Sequence, residues 1–252
     1  MGDLYTKRQA KAGSVKRGLS PNLWGQVNLT EINNGGISEG FGFLDDFVSN
    51  AGHFLLAQDG SQGAIEMAPA EKGGALLIDS AGTDDNEGPD AQLGGTQGGA
   101  SFIASADSKI YYEARIKITD TAVTSQYFLG LGAVLTPFLD SDANVCPNHV
   151  GFEGFSSLSS TFAVEKAGSR SGSTTAAAAT LVEDTYIKLG FEIDGLTKIT
   201  PYVDGQAGAV ITTNIPIVGM TPTFAVRSTN VGTDPIMSVD WVACYQVEQI
   251  AN

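Results

Sequence analysis

Two cysteines, two histidines and no apolar run near the ~18 residues of a bilayer span remove several common ways of building a protein. Cys146 and Cys244 lie too far apart for a disulfide framework or a cysteine-rich zinc module. A four-ligand zinc site would need both of them with His53 and His149 from distant segments. Cys146-Pro147-Asn148-His149 supplies at most half a metal site or a nucleophile with its base, against the plainer reading of a packed thiol and a histidine opening a strand. The start, MGDLYTKRQAKAGSVKRG, has no apolar core of a secretory signal, so synthesis in the cytoplasm and no membrane partner are expected. Charged residues are also scarce, 17% of the chain against about 25% in typical domains. Much of the surface must therefore be Ser, Thr, Asn and Gly.

The charge that is present is segregated. Lys7, Arg8, Lys11, Lys16 and Arg17 against Asp3 give residues 1–17 a net +4, which leaves −18 for residues 18–252 within a total of −14. A basic arm thus precedes an acidic body whose field disfavours nucleic acid and anionic lipid as partners. The arm is polar, lacks an apolar period and ends at Ser20-Pro21, where an extended or turn conformation is favoured. Residues 23–40 are expected to lie across the body, so the domain reading is an extended arm and transition segment over 1–40 and one β-sandwich over 41–252.

No window of the chain carries a convincing helical period, and three stretches alternate with the period of a strand. Ile110, Tyr112, Ala114, Ile116 and Ile118 oppose Tyr111, Glu113, Arg115 and Lys117; Ile187, Leu189, Phe191 and Ile193 oppose Lys188, Glu192 and Asp194; Met237, Val239, Trp241, Ala243 and Tyr245 share a third apolar face. Asp194-Gly195 and Asp204-Gly205 supply hairpin turns between such strands. Further strands are expected near 41–48, 64–68, 75–78, 101–104, 126–134, 149–154, 161–166 and 222–228. One helical turn is expected near 135–142, and 79–99 and 167–180 read as exposed loops. Many antiparallel strands with one apolar face each are best buried by stacking two sheets, which gives an all-β antiparallel sandwich or jelly roll with the basic arm attached.

Chemistry-bearing groups are sparse. Asp79, Asp84, Asp85, Glu87 and Asp90 are hard oxygen ligands of the kind calcium takes, but they lack EF-hand spacing, so either a calcium site or a solvated loop fits, and no cofactor is expected. Glycoside hydrolysis on a jelly roll needs two carboxylates flanking the scissile bond, often as Glu-x-Asp-x-x-Glu on one strand, and this run is absent; Glu192-Ile193-Asp194 is the nearest approach. There is no Gly-x-Ser-x-Gly elbow or phosphate loop either. The expectation is a protein that is not an enzyme.

Phe41-Gly42-Phe43-Leu44-Asp45-Asp46-Phe47, Tyr112-Glu113-Ala114-Arg115-Ile116-Lys117, Tyr127-Phe128-Leu129-Gly130-Leu131, Thr185-Tyr186-Ile187-Lys188-Leu189-Gly190-Phe191 and Ser238-Val239-Asp240-Trp241 follow one another in an informative order. Over roughly residues 41–246 the chain resembles the concanavalin-like (laminin-G-like) jelly-roll proteins encoded among the head genes of tailed bacteriophages. The resemblance implies capsid cement or decoration, as a homotrimer bound to the major capsid protein on the outer surface of the virion. Lys7, Arg8, Lys11, Lys16 and Arg17 are then candidate contacts to the shell or to a neighbouring copy, with no catalytic or metal residues. The alternative is a carbohydrate-binding module on the virion, with Trp24, Tyr111, Tyr127 or Tyr202 stacking on sugars.

Overall fold

A computed structural model describes residues 18–25, 27, 40–48, 54–59, 63–68, 73–80, 88–94, 99–119, 125–134, 138–139, 146–155, 159–166, 173–229 and 234–248. Fifteen strands are found among them: β1 Gly40–Asp45, β2 Phe54–Asp59, β3 Ala64–Met67, β4 Leu76–Asp79, β5 Gly88–Leu93, β6 Ser108–Thr119, β7 Ser125–Gly132, β8 His149–Phe155, β9 Ser159–Glu165, β10 Ser173–Thr180, β11 Ile187–Asp194, β12 Lys198–Val203, β13 Gln206–Ala207, β14 Thr221–Ser228 and β15 Ile236–Glu248. A single helical turn, α1 Pro21–Trp24, precedes them. All pairings between these strands are antiparallel, and the strands form two sheets. The eight-stranded sheet runs β13-β12-β11-β6-β15-β4-β3 with β1 also on β15, and the seven-stranded sheet runs β10-β9-β8-β7-β14-β5-β2. The fold is a jelly-roll β-sandwich, as the alternation predicts.

The period-2 pattern decides which side chains meet between the sheets. Ile110, Tyr112, Ala114 and Ile116 of β6 and Leu189, Phe191 and Ile193 of β11 face Tyr127, Leu129 and Leu131 of β7, Phe152 of β8, Phe162 of β9 and Phe224 of β14 in one core. Phe191 stacks on Tyr112 with centroids 4.9 Å apart and touches Phe162 across the sandwich at 5.6 Å. Burying an aromatic of this size contributes about 1.5–3 kcal/mol from area alone. The turns follow the expected chemistry: Gly195, Asp204 and Gly205 have φ of 62°, 48° and 78°, the left-handed values that Asp-Gly hairpins need.

Three expectations are corrected. The stretch 79–99 contains β5, whose Asp90 and Gln92 point out of the core while Ala91 and the half-buried Leu93 point in. The stretch 167–180 contains β10, an edge strand of small residues paired with β9. Neither has apolar alternation, because pairing to a neighbour rather than burial of a large side chain holds it. Trp241 does not share a face with Val239, because the pairing of β15 with β6 shifts between these two residues. This β-bulge at Asp240 moves every later side chain to the other face, so Val242 and Cys244 enter the core while Trp241, Ala243 and Tyr245 turn outward. Asp240 itself reaches Arg115 at 2.7 Å on the outer side. Phe102 makes an isolated bridge to Met220 in place of a strand over 101–104, and most of the expected turn at 135–142 lies outside the described residues.

Candidate functional site on the seven-stranded sheet

The side chains that point away from the core on the seven-stranded sheet are mostly buried and mix polar groups with a small apolar cluster around Phe128 and Ala225. Strand register arranges them in rows. One row runs Glu165, His149, Gly132, Thr221 across β9, β8, β7 and β14; another runs Thr161, Glu153, Phe128, Ala225, Asp90 across β9, β8, β7, β14 and β5. Gln126 pairs with Arg227 beyond them. Part of this face is roofed by chain that returns over it: Phe138, Leu139 and Cys146 pack on Phe128 and Ala225, and the Phe138 backbone N–H donates to the Asp90 carboxylate. The roof lies over β7 and β14. Over β8 and β9, Glu153, Phe155 and Thr161 remain half-buried and Ser159 is exposed.

His149 is the most constrained group there, at 1% exposure. Its Nδ1 lies 2.6 Å from the Cys146 carbonyl oxygen, which can only accept, so Nδ1 carries the proton and donates. Nε2 is then a bare acceptor with no hydrogen-bond partner among the described residues, 3.9 Å from Oε2 of Glu153. Burial lowers the imidazole pKa to about 4, against the opposing effect of the Cys146 carbonyl, so the ring is neutral at pH 7. Phe128 holds it edge-on at 5.4 Å. Glu165 sits directly across from His149 on β9. The imidazole therefore stands between one carboxylate on its own strand and another on the next.

Several sequence expectations meet this geometry. Cys146 and His149 do come together, but through the Cys146 carbonyl; the thiol is buried and pushed up to about 12 by burial first, then by Glu165 and Asp90, which makes it a poor nucleophile. Cys244 lies in the sandwich core, far from being a fourth ligand with Cys146. Asp79 and Asp90 belong to strands of different sheets, while Asp84, Asp85 and Glu87 lie outside the described residues. Among the described residues no three His, Cys, Asp or Glu side chains gather to hold a metal. Trp24, Tyr111, Tyr127 and Tyr202 are all buried, so none of them is a surface platform for a sugar. The arm residues Lys7, Arg8, Lys11, Lys16 and Arg17 lie outside the described residues. What sequence reasoning missed is the pairing of His149 with Glu153 and Glu165, whose only trace is the i, i+4 spacing of His149 and Glu153 on one strand face.

No protein-family model matches the chain, and no curated protein matches it. Solved structures do. A Bacteroides ovatus glycoside hydrolase family 16 enzyme from a mixed-linkage glucan utilisation locus, in complex with an oligosaccharide product, is 14% identical with a TM-score of 0.54, covering 79% of this chain and 98% of that one. The endo-β-1,3-glucanase of Pyrococcus furiosus is 18% identical with a TM-score of 0.56, covering 82% and 94%. A Shewanella oneidensis protein of unknown function is 14% identical with a TM-score of 0.56, covering 86% and 90%. These likenesses establish the fold, a jelly-roll β-sandwich.

They also correct the expectation that the chain is not an enzyme. That exclusion rested on the missing Glu-x-Asp-x-x-Glu run, yet the structural neighbours of this sandwich include endo-glucanases. Glu153 and Glu165 stand on adjacent strands of the seven-stranded sheet, where a search for one run along a single strand does not find them.

Proposed function

We propose that the chain is a carbohydrate-binding jelly-roll protein whose ligand lies on the outer face of the seven-stranded sheet over β8 and β9. The observation that carries this reading is the uncovered row of half-buried Glu153, Phe155 and Thr161 over β8 and β9, beneath which His149 lies buried with Nε2 3.9 Å from Glu153 Oε2. Sugar hydroxyls donate to such acceptors, and the apolar face of a pyranose stacks on an aromatic ring. The glucan-active enzymes among the structural neighbours support neutral β-glucans as the first class to test. The half-buried Glu153 carboxylate opposes an anionic sugar. Calorimetry with mixed-linkage and β-1,3-gluco-oligosaccharides should show binding that Glu153→Gln weakens at least tenfold, and an assay for new reducing ends on the same panel reports turnover. Absence of binding to every neutral glycan in the panel overturns the reading.

A second reading is capsid decoration, as a homotrimer on the major capsid protein. It is favoured by the +4 charge of residues 1–17 before an acidic body and by Lys188 Nζ, which donates to the Gly18 carbonyl oxygen at 3.1 Å and so holds the residue that follows the basic stretch. Cosedimentation with assembled capsids should then fall when residues 1–17 are deleted and fall further with salt for the intact chain, since exposed charge pairs are screened. Equal cosedimentation of both forms removes this reading.

A further inference from the structure

The outer face of the eight-stranded sheet is closed by its own chain, and the β13 edge of that sheet is open. On the face, Leu23 and Trp24 pack on Tyr111, Tyr202, Trp241 and Tyr245, and Glu113 accepts through Oε2 from the Ser20 backbone N–H and from Trp24 Nε1–H, both at 2.9 Å. At the edge, β13 pairs with the end of β12, and the chain runs on beside β12 as far as the Ile199–Ile211 bridge. Gly208 N–H donates to the Pro201 carbonyl oxygen at 2.8 Å, and Ile199 and Ile211 exchange both main-chain bonds at 2.7 and 2.9 Å. Because hydrogen bonding alternates along an antiparallel pair, Val210 and Thr212 on either side of Ile211 turn their N–H and C=O groups away from β12. Among the described residues no strand lies beyond them. Ile211 and Ile215 anchor this stretch in the core, yet seven of the eight residues 206–213 are exposed, Val210 by 52%.

This edge is also uncharged. Charged residues make up 17% of the chain, but none stands between Asp204 and Arg227. Lys198, which the bridge register sets beside Thr212, is held by Asp194 at 3.1 Å. The second sheet ends on the same side of the sandwich: β10 is last in its order and packs over β12, and no charged residue stands between Arg170 and Glu183. Natural sheet edges are commonly guarded by lysine or proline, and residues 206–213 contain neither. In a chain of net charge −14, copies repel where their charged surfaces meet, and an uncharged, partly apolar edge avoids that repulsion and the cost of burying charge. A basic partner would be drawn to the acidic surface elsewhere. The main-chain groups of the edge are complementary to the same groups on a copy turned through a twofold axis.

We propose that residues 206–213 are an interface between copies of the chain, pairing antiparallel about a twofold axis so that the eight-stranded sheet continues across a dimer. Centring the axis on Ile211 sets Val210 opposite Thr212 of the second copy and makes two pairs of main-chain bonds. The exposed Val210 side chain is buried by this contact, and the uncharged flank of β10 lets the second sheets approach alongside. The contact uses neither the glycan face over β8 and β9 nor residues 1–17.

Sedimentation of Val210→Lys tests this, because the side chain is exposed in the single chain and a lysine there leaves the fold intact while guarding the edge. Wild type should form dimers at micromolar concentration, and Val210→Lys should associate at least tenfold more weakly with an unchanged far-ultraviolet spectrum, even though the substitution makes the chain less negative. Raising salt should strengthen wild-type association, because it screens repulsion between acidic copies. The double variant Val210→Cys with Thr212→Cys gives a second readout, since Cys146 and Cys244 are buried and do not compete: oxidation should yield interchain-linked dimer on a non-reducing gel. A monomeric wild type, equal association of wild type and Val210→Lys, or a cysteine variant that remains monomeric on oxidation overturns the proposal.

Discussion

Each outer face of the sandwich buries a carboxylate or an imidazole beneath returning chain, and the two solve the problem in opposite ways. On the eight-stranded sheet the buried group is an acid, Glu113, whose cover brings N–H donors to it. On the seven-stranded sheet it is a base, His149, whose cover brings a carbonyl acceptor and leaves Nε2 without a hydrogen bond among the described residues. The first cover pairs Oε2 and leaves Oε1 of the same carboxylate without a hydrogen bond among the described residues. The second pairs Nδ1 and leaves Nε2 buried beside Glu153. A buried polar group is costly unless paired, so each burial is half satisfied and the two differ in whether the cover supplies donors or an acceptor.

The largest expected effect tests the core that both faces share. Phe191→Ala should cost ~3–5 kcal/mol in urea denaturation, because a ring stacked on Tyr112 and touching Phe162 leaves a cavity. A loss under about 1 kcal/mol would mean that the two faces do not rest on one packed core.

The next effect separates the faces by pH. The His149 pKa is lowered from 6.5 to about 4, so the native state resists protonation that the unfolded chain accepts. Its contribution is present above pH 6.5 and is lost as pH falls towards 4, on the order of 3 kcal/mol at most from a shift of this size. Denaturation midpoints measured between pH 7 and 4 should fall, and His149→Phe should flatten that dependence. Glu113 has the opposite sign. Burial raises its pKa, against the bonds from Ser20 and Trp24 and the charge of Lys188, so the folded protein takes up a proton there more readily than the unfolded chain. Its contribution to stability should grow as pH falls through the raised pKa and be lost as pH rises through it. Denaturation midpoints of Glu113→Gln should therefore fall more steeply with acid than those of wild type. Equal slopes would break the contrast.

Glu113→Ala should cost ~1–3 kcal/mol of segment docking by leaving two buried N–H groups unpaired, read as faster proteolysis between residues 18 and 25 with little change in the global midpoint. Glu113→Gln keeps an acceptor and should lose less, while abolishing the acid strengthening. The smallest effect is expected from the half-exposed cluster in which Lys109 meets Glu192 at 3.1 Å and Asp194 at 3.3 Å. Lys109→Ala should change stability by only ~0.2–1 kcal/mol, and by less in high salt.

The all-β sandwich, its central strands β6 and β11 and its Asp-Gly hairpins were legible in the sequence. Alternation over Ile110–Ile118 and Ile187–Ile193 follows directly from burying one face of a strand, and a left-handed turn residue has few chemical substitutes. β5 and β10 were not legible, since small and polar residues hold a strand only through neighbours that are remote in sequence. The outward turn of Trp241 depends on one bulge, which local periodicity does not reveal and which reverses the face of everything after it. Both buried sites depend on register between strands: Glu165 meets His149, and Glu113 meets Ser20 and Trp24 across 93 and 89 residues of chain. Side-chain pattern along the chain determined which faces are buried; only the lateral order and register of the strands, set by packing across the whole sandwich, decided which polar groups meet.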